Sequence, residues 1–93
     1  MKNETAYNGW RNYATWNVSV WSTSTDFLYS IARISEDYRQ FVELVRTFAD
    51  EIAREYATVY GSTHDFAHGT PDGIPWNARN LDRKRLDEMI REC

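Results

Sequence analysis

Asn8-Gly9-Trp10-Arg11-Asn12-Tyr13-Ala14-Thr15-Trp16-Asn17-Val18-Ser19-Val20-Trp21 is the stretch on which the fold turns. Trp16, Val18 and Val20 alternate with Asn17, Ser19 and Trp21, a period of two that suits a β-strand. The same residues also set Tyr13, Trp16, Asn17, Val20 and Trp21 on one helical face, with Asn12 available as N-cap. A lone strand leaves its edges unpaired, and no second strand-like run stands ready to pair with it. The helical reading of residues 12–22 is therefore favoured, and with it an all-α chain. Trp16 and Val20 are expected in the core. The remaining aromatics spread over more than one face, and an indole N–H needs a partner once buried. Trp10, Arg11, Asn12 and Tyr13 are accordingly expected to form a surface.

Working outward, Ser22-Thr23-Ser24-Thr25 competes with helix and should break the chain. Thr25 or Ser24 then caps a short helix carrying Phe27, Leu28, Ile31 and Ile34. Ser35 is read as the cap of the clearest element, a helix over 36–60 with Tyr38, Phe41, Val45, Phe48, Ile52, Tyr56 and Val59 at three- and four-residue steps. Such a helix would be about 38 Å long and would serve as the spine. Gly61 ends it. Residues 61–77 read as a long loop with a β-turn at Thr70-Pro71-Asp72-Gly73, held down by Phe66, Ile74 and Trp76. The last helix starts at an Asp82 N-cap flanked by Leu81 and Leu86 as a hydrophobic staple. The expectation is one domain over 1–93, with 1–8 loose: a compact bundle of about four helices and a long loop before the C-terminal helix.

At 93 residues there is room for one modest core. A formal charge of −3 argues against a general affinity for nucleic-acid backbone. Cys93 stands alone, so there is neither a disulfide framework nor a cysteine zinc site, which fits a reducing compartment. The opening Met-Lys-Asn-Glu-Thr-Ala lacks the apolar run of a signal peptide, and no segment is apolar enough for a membrane span. A cytoplasmic location is expected.

Chemistry-bearing patterns are sparse. His64, Asp65 and His68 could meet a metal if helical, but the Gly, Ser, Thr and Pro around them argue for a loop, and surface polarity is the preferred reading. No serine sits in a nucleophile turn and the four glycines are dispersed, so no phosphate loop exists. No enzyme activity, metal or cofactor is expected. Arg79, Arg83, Lys84, Arg85 and Arg91 form a basic patch whose plain reading is a solvated face, with Arg83 paired to Asp87 and Lys84 to Glu88. On the 36–60 helix, Glu43 pairs in spacing with Arg46, and Asp50 with Arg54. Glu43, Asp50 and Glu51 on that face could meet a basic partner.

The string Asn8-Gly9-Trp10-x-Asn12-Tyr13-x-Thr15-Trp16-Asn17-Val18 resembles a motif of small phage- and prophage-encoded proteins, mostly of unassigned function. There the Asn-x-x-Thr-Trp-Asn core is followed by a hydrophobic-Trp step, an acidic turn and a Leu-Tyr pair. Here Val20-Trp21, Asp26 and Leu28-Tyr29 stand in that order, although Ser22 to Thr25 and Phe27 depart from it. The resemblance implies a compact helical accessory protein that binds and disables a host defence protein, with an anti-CRISPR inhibitor as its most concrete form. The alternative is a nucleotide or small-molecule sponge, with the Trp/Tyr/Asn cluster stacking a base and the Arg79–Arg85 patch holding phosphate.

Overall fold

A computed structural model describes residues 9–93, so the expectation for residues 1–8 lies outside it. The described residues form five helices: α1 (Tyr13–Ser22), α2 (Asp26–Ile34), α3 (Tyr38–Thr47), α4 (Ala49–Tyr60) and α5 (Arg83–Glu92). β-Pairing among them is confined to isolated bridges such as the one between Gly69 and Pro75. None of these helices is long and apolar enough to cross a membrane. The all-α expectation holds, with one helix more than expected.

The extra helix arises because the expected spine is bent. At Phe48 the backbone leaves helical values (φ −106°, ψ 23°), yet no loop intervenes. The Phe48 N–H donates to the Leu44 carbonyl at 2.9 Å, and the Phe48 carbonyl accepts from Ile52 N–H at 3.0 Å. Thr47 Oγ1 donates back to the Glu43 carbonyl, a bond that bends helices. The bend lets both α3 and α4 pack on the short α2, which a straight rod would leave. It also turns Phe48 outward against Phe27, ring centres 5.8 Å apart, so Phe48 does not join the buried stripe. Val59 is likewise exposed rather than buried.

Capping follows the expected chemistry at three helices and departs at one. Asn12, Thr25 and Asp82 each accept the N–H three residues on. The expected Ser35 cap is replaced by Asp37, whose Oδ1 accepts from Gln40 N–H at 2.8 Å. Ser35 instead ends α2, its hydroxyl donating back to the Ile31 carbonyl. A second acid serves α3 from outside: Asp87 of α5 accepts Tyr38 N–H at 2.9 Å, so its predicted pairing with Arg83 gives way to a helix cap. Gly61 closes α4 in the left-handed region, φ +78°.

The core gathers Val18, Leu28, Ile31, Tyr38, Phe41, Val45, Ile52, Leu86 and Ile90 around two loop residues, Phe66 and Trp76, both completely buried. Trp76 donates its indole N–H to the Phe66 carbonyl at 2.7 Å, and its own carbonyl accepts the Tyr38 hydroxyl at 2.7 Å. Burial pushes the Tyr38 hydroxyl well above its usual range, so it stays a proton donor. The tryptophan at the heart of this core is thus the one outside the Trp-rich segment.

Candidate functional site

α1 is built inside out. Its buried residues are Ala14, Thr15, Asn17, Val18, Ser19 and Ser22, while Tyr13 and Val20 are 43% and 44% exposed and Trp16 and Trp21 are half-buried. The expected core pair of Trp16 and Val20 is therefore displaced by Val18 and a row of small residues. Small side chains let α1 approach α2 and α5 closely, and the buried polar atoms are all answered. Ser19 and Ser22 donate to the Trp16 and Val18 carbonyls at 2.6 and 2.7 Å. Among the described residues no buried side-chain nitrogen or oxygen lacks a partner.

The Asn-x-x-Thr-Trp-Asn residues stitch α1 to the loop before α5. Asn12 caps α1 with its oxygen and donates its Nδ2 to the Asn80 carbonyl at 2.7 Å. Thr15 Oγ1 accepts the backbone N–H of Asp82 at 3.0 Å. Asn17, 1% exposed, donates Nδ2 to Asp72 Oδ2 at 2.7 Å and accepts the Thr70 hydroxyl at 2.7 Å. Trp21 donates its indole N–H to the same Asp72 oxygen at 2.9 Å. These two donors, Trp21 first and Asn17 second, hold the Asp72 carboxyl below its ordinary value. The receiving loop is a tight turn. Gly73 N–H donates to the Thr70 carbonyl at 2.9 Å, confirming the expected β-turn, and Thr70 N–H donates to the Ile74 carbonyl at 2.9 Å.

With its polar side chains turned inward, α1 presents aromatics outward. Tyr13 and Trp16 lie ring to ring at 5.7 Å, and Val20 continues their face one turn on. Beside them Trp21 meets Tyr56 and Tyr60 of α4 at 5.9 and 5.8 Å, and Tyr60 is 49% exposed. Tyr13, Trp16, Val20, Trp21 and Tyr60 make an apolar ridge with Asp72 at its side.

The surface residues expected from the sequence divide into two groups. Trp10 is half-buried beneath the Arg85 guanidinium, 4.5 Å from the ring centre. Arg11 is exposed, Asn12 is committed to its cap, and Tyr13 joins the ridge. Glu43 is elsewhere, on α3, exposed and 3.7 Å from Arg39 rather than paired with Arg46, whose Nε donates to the Ala67 carbonyl. Asp50 and Glu51 sit in the first turn of α4, at the end opposite Tyr56 and Tyr60. The bend at Phe48 separates Glu43 from Asp50 and Glu51, so the structure does not join the acids to the aromatics as one face. Trp16, Val20, Trp21 and Tyr60 are the ridge members that the sequence reading assigned to the interior or passed over; the signal available was the small residues Ala14, Thr15, Ser19 and Ser22, which mark the buried side together with Val18.

Other chemistry is already engaged. His64 hydrogen-bonds the Gly69 carbonyl at 2.8 Å and packs edge-on to Phe66, while His68 lies 3.6 Å from Asp65. No group of three or more His, Cys, Asp or Glu among the described residues could hold a metal ion. Asn17 has its amide oxygen and nitrogen occupied, and Arg83 lies 5.0 Å over the Tyr38 ring. A base-reading pocket would need those same Asn groups.

The model of a family of unknown function, DUF7249, matches residues 3–93. No curated protein and no solved structure matches.

Proposed function

This chain belongs to the DUF7249 family of unknown function, and since that membership brings no activity with it, we propose from the geometry that it is a small non-catalytic binding protein that docks on another protein through the ridge of α1. The observation that carries this reading is the make-up of α1: Thr15, Asn17, Ser19 and Ser22 are buried beside Ala14 and Val18, with no buried side-chain polar atom unpartnered among the described residues, while Tyr13 and Val20 are exposed and Trp16 is half-buried between them. Folding alone would favour the opposite arrangement. Tyrosine and tryptophan suit such a role because they bring large contact area at low rotamer cost. The partner, following the resemblance to phage-encoded proteins, is a host defence protein of the kind anti-CRISPR inhibitors block. The action is steric: the ridge covers a functional surface of the target in the cytoplasm of the host.

The test is affinity capture from host lysate with the wild-type chain beside Tyr13→Ser/Val20→Ser. The Tyr13 hydroxyl accepts from Asn17 Nδ2 at 3.3 Å, so the melting temperature of the pair is measured alongside; Val20→Ser alone, at an exposed position and expected to melt within about 3 °C of wild type, decides if the pair melts early. A stoichiometric defence-complex subunit retained by wild type and lost by the variant supports the reading. Equal retention by both overturns the ridge as the interface.

A further inference from the structure

We propose that the outer face of α2 is a self-association surface, on which two copies of this chain pair antiparallel about a two-fold axis between Tyr29 and Ser30. This rests on residues that the α1 ridge does not use. Asp26, Tyr29, Ser30, Arg33 and Ile34 are all exposed and follow one another at helical spacing along a single stripe, opposite the buried Leu28, Ile31 and Ala32. Ile34 is 69% exposed, more than any other large hydrophobic residue described. Beside the stripe runs an open groove of about 360 Å³, lined by Asp26, Phe27 and Ser30 of α2 and Glu55 of α4. A second hollow of about 290 Å³, lined by Ser30, Arg33 and Ile34, meets it at Ser30.

A second copy is the occupant because the stripe is complementary to itself. Asp26 opens α2 and Arg33 lies in its last turn. Antiparallel pairing about that axis sets Asp26 of each copy opposite Arg33 of the other, twice by symmetry, whereas parallel pairing would oppose like charges. The same axis sets Tyr29 opposite Ser30 of the second copy, a bulky side chain over a small one. Ile34 of each copy then reaches the groove beside Phe27 of the other. Of that groove's two acids, Glu55 is already engaged, accepting the Phe27 N–H at 3.0 Å, and Asp26 is the one that faces Arg33 of the second copy. A nine-residue helix is only about 14 Å long, so the interface falls at the small end of the range and the dimer is a weak one.

Sedimentation of the full chain from about 5 to about 500 µM, a range bracketing micromolar affinities, reads the proposal directly. The expected result is a rise from 11.0 kDa toward twice that mass across the series. Arg33→Asp and Asp26→Arg should each weaken association by about tenfold or more, and the double exchange should restore it. Ile34→Ser should weaken association with an unchanged melting temperature. If Asp26→Arg, which removes the acid from the first turn of α2, melts early, Arg33→Asp and Ile34→Ser decide. A monomer throughout the series, single variants that associate like wild type, or a well-folded double exchange as weak as the single variants would each overturn the proposal.

Discussion

Replacing Asn17 by alanine should be among the most damaging single changes in the chain. Asn17 is 1% exposed and bridges α1 to the Thr70–Gly73 turn through Asp72 and Thr70, both at 2.7 Å. Truncation removes a bond to a carboxylate, discounted to ~1 kcal/mol because Asp72 is solvent-exposed. It also strands the fully buried Thr70 hydroxyl as a donor, which costs ~1–2 kcal/mol. The void left by the amide adds up to ~1 kcal/mol. The sum, about 3 kcal/mol, is a large share of the roughly 5–15 kcal/mol that holds a domain folded, and should lower the melting temperature by about 15 °C. Urea and thermal unfolding followed by circular dichroism measure it. Asn17→Ala/Thr70→Val should cost about 1 kcal/mol less than the two single changes added, because the Asn17–Thr70 bond is lost in both single variants but only once in the double, while the Ile74 N–H, which also donates to Thr70 Oγ1 at 3.3 Å, loses its acceptor equally in Thr70→Val and in the double variant. A loss below about 1 kcal/mol for Asn17→Ala, or strict additivity in the double variant, would refute the clamp.

Three further outcomes follow from the same geometry. The Asp72 carboxyl titrates lower folded than unfolded, so its stabilisation is present above the unfolded value near 3.8 and is lost as pH falls through the folded value; Asp72→Asn should therefore lower stability at neutral pH and flatten the acid limb of the curve, so that variant and wild type converge below about pH 4, as urea midpoints across pH would read. Gly69→Ala should destabilise by about 2 kcal/mol or more, because a Cβ there meets the Ile74 carbonyl oxygen and lies 2.9 Å from Pro75 Cα, both rigid backbone; Gly73→Ala, strained only by φ +90°, should cost about 1 kcal/mol, and equal melting temperatures would contradict the close packing of this turn. Burial, then the neighbouring Glu92 charge, pushes the Cys93 thiol up, and it donates to the Met89 carbonyl; its alkylation at pH 8 should be slower folded than in urea, and equal rates would show the terminus undocked.

The candidate surface was legible in the sequence by residue type and misread by face. A run of Trp, Tyr, Asn and Thr announced that residues 10–21 matter, and its Asn and Thr proved to be stitches to a loop more than fifty residues later. Periodicity placed Val20 inside because it weighs side chains by hydrophobicity. The observed helix buries Thr15 and Asn17, since each finds a hydrogen-bond partner that only the folded chain supplies, and Ser19, whose hydroxyl is answered within the helix by the Trp16 carbonyl. The second expected group, Glu43 with Asp50 and Glu51, depended on a straight helix that the structure bends.

Local sequence alone determined most of the helix ends, α3 excepted: the caps Asn12, Thr25 and Asp82, the stop at Gly61 and the turn at Thr70–Gly73 are short-range hydrogen-bonding choices, complete within four or five residues. Sequence likewise determined the all-α class, because a solitary strand has no partner to satisfy its edges. Tertiary structure decided the bend at Phe48, the burial of Trp76 in preference to the clustered tryptophans, and which side of α1 faces water. Those outcomes depend on what lies across the contact. A nine-residue α2 must be covered by both α3 and α4, and a buried asparagine is tolerable only when a distant threonine and aspartate arrive to meet it.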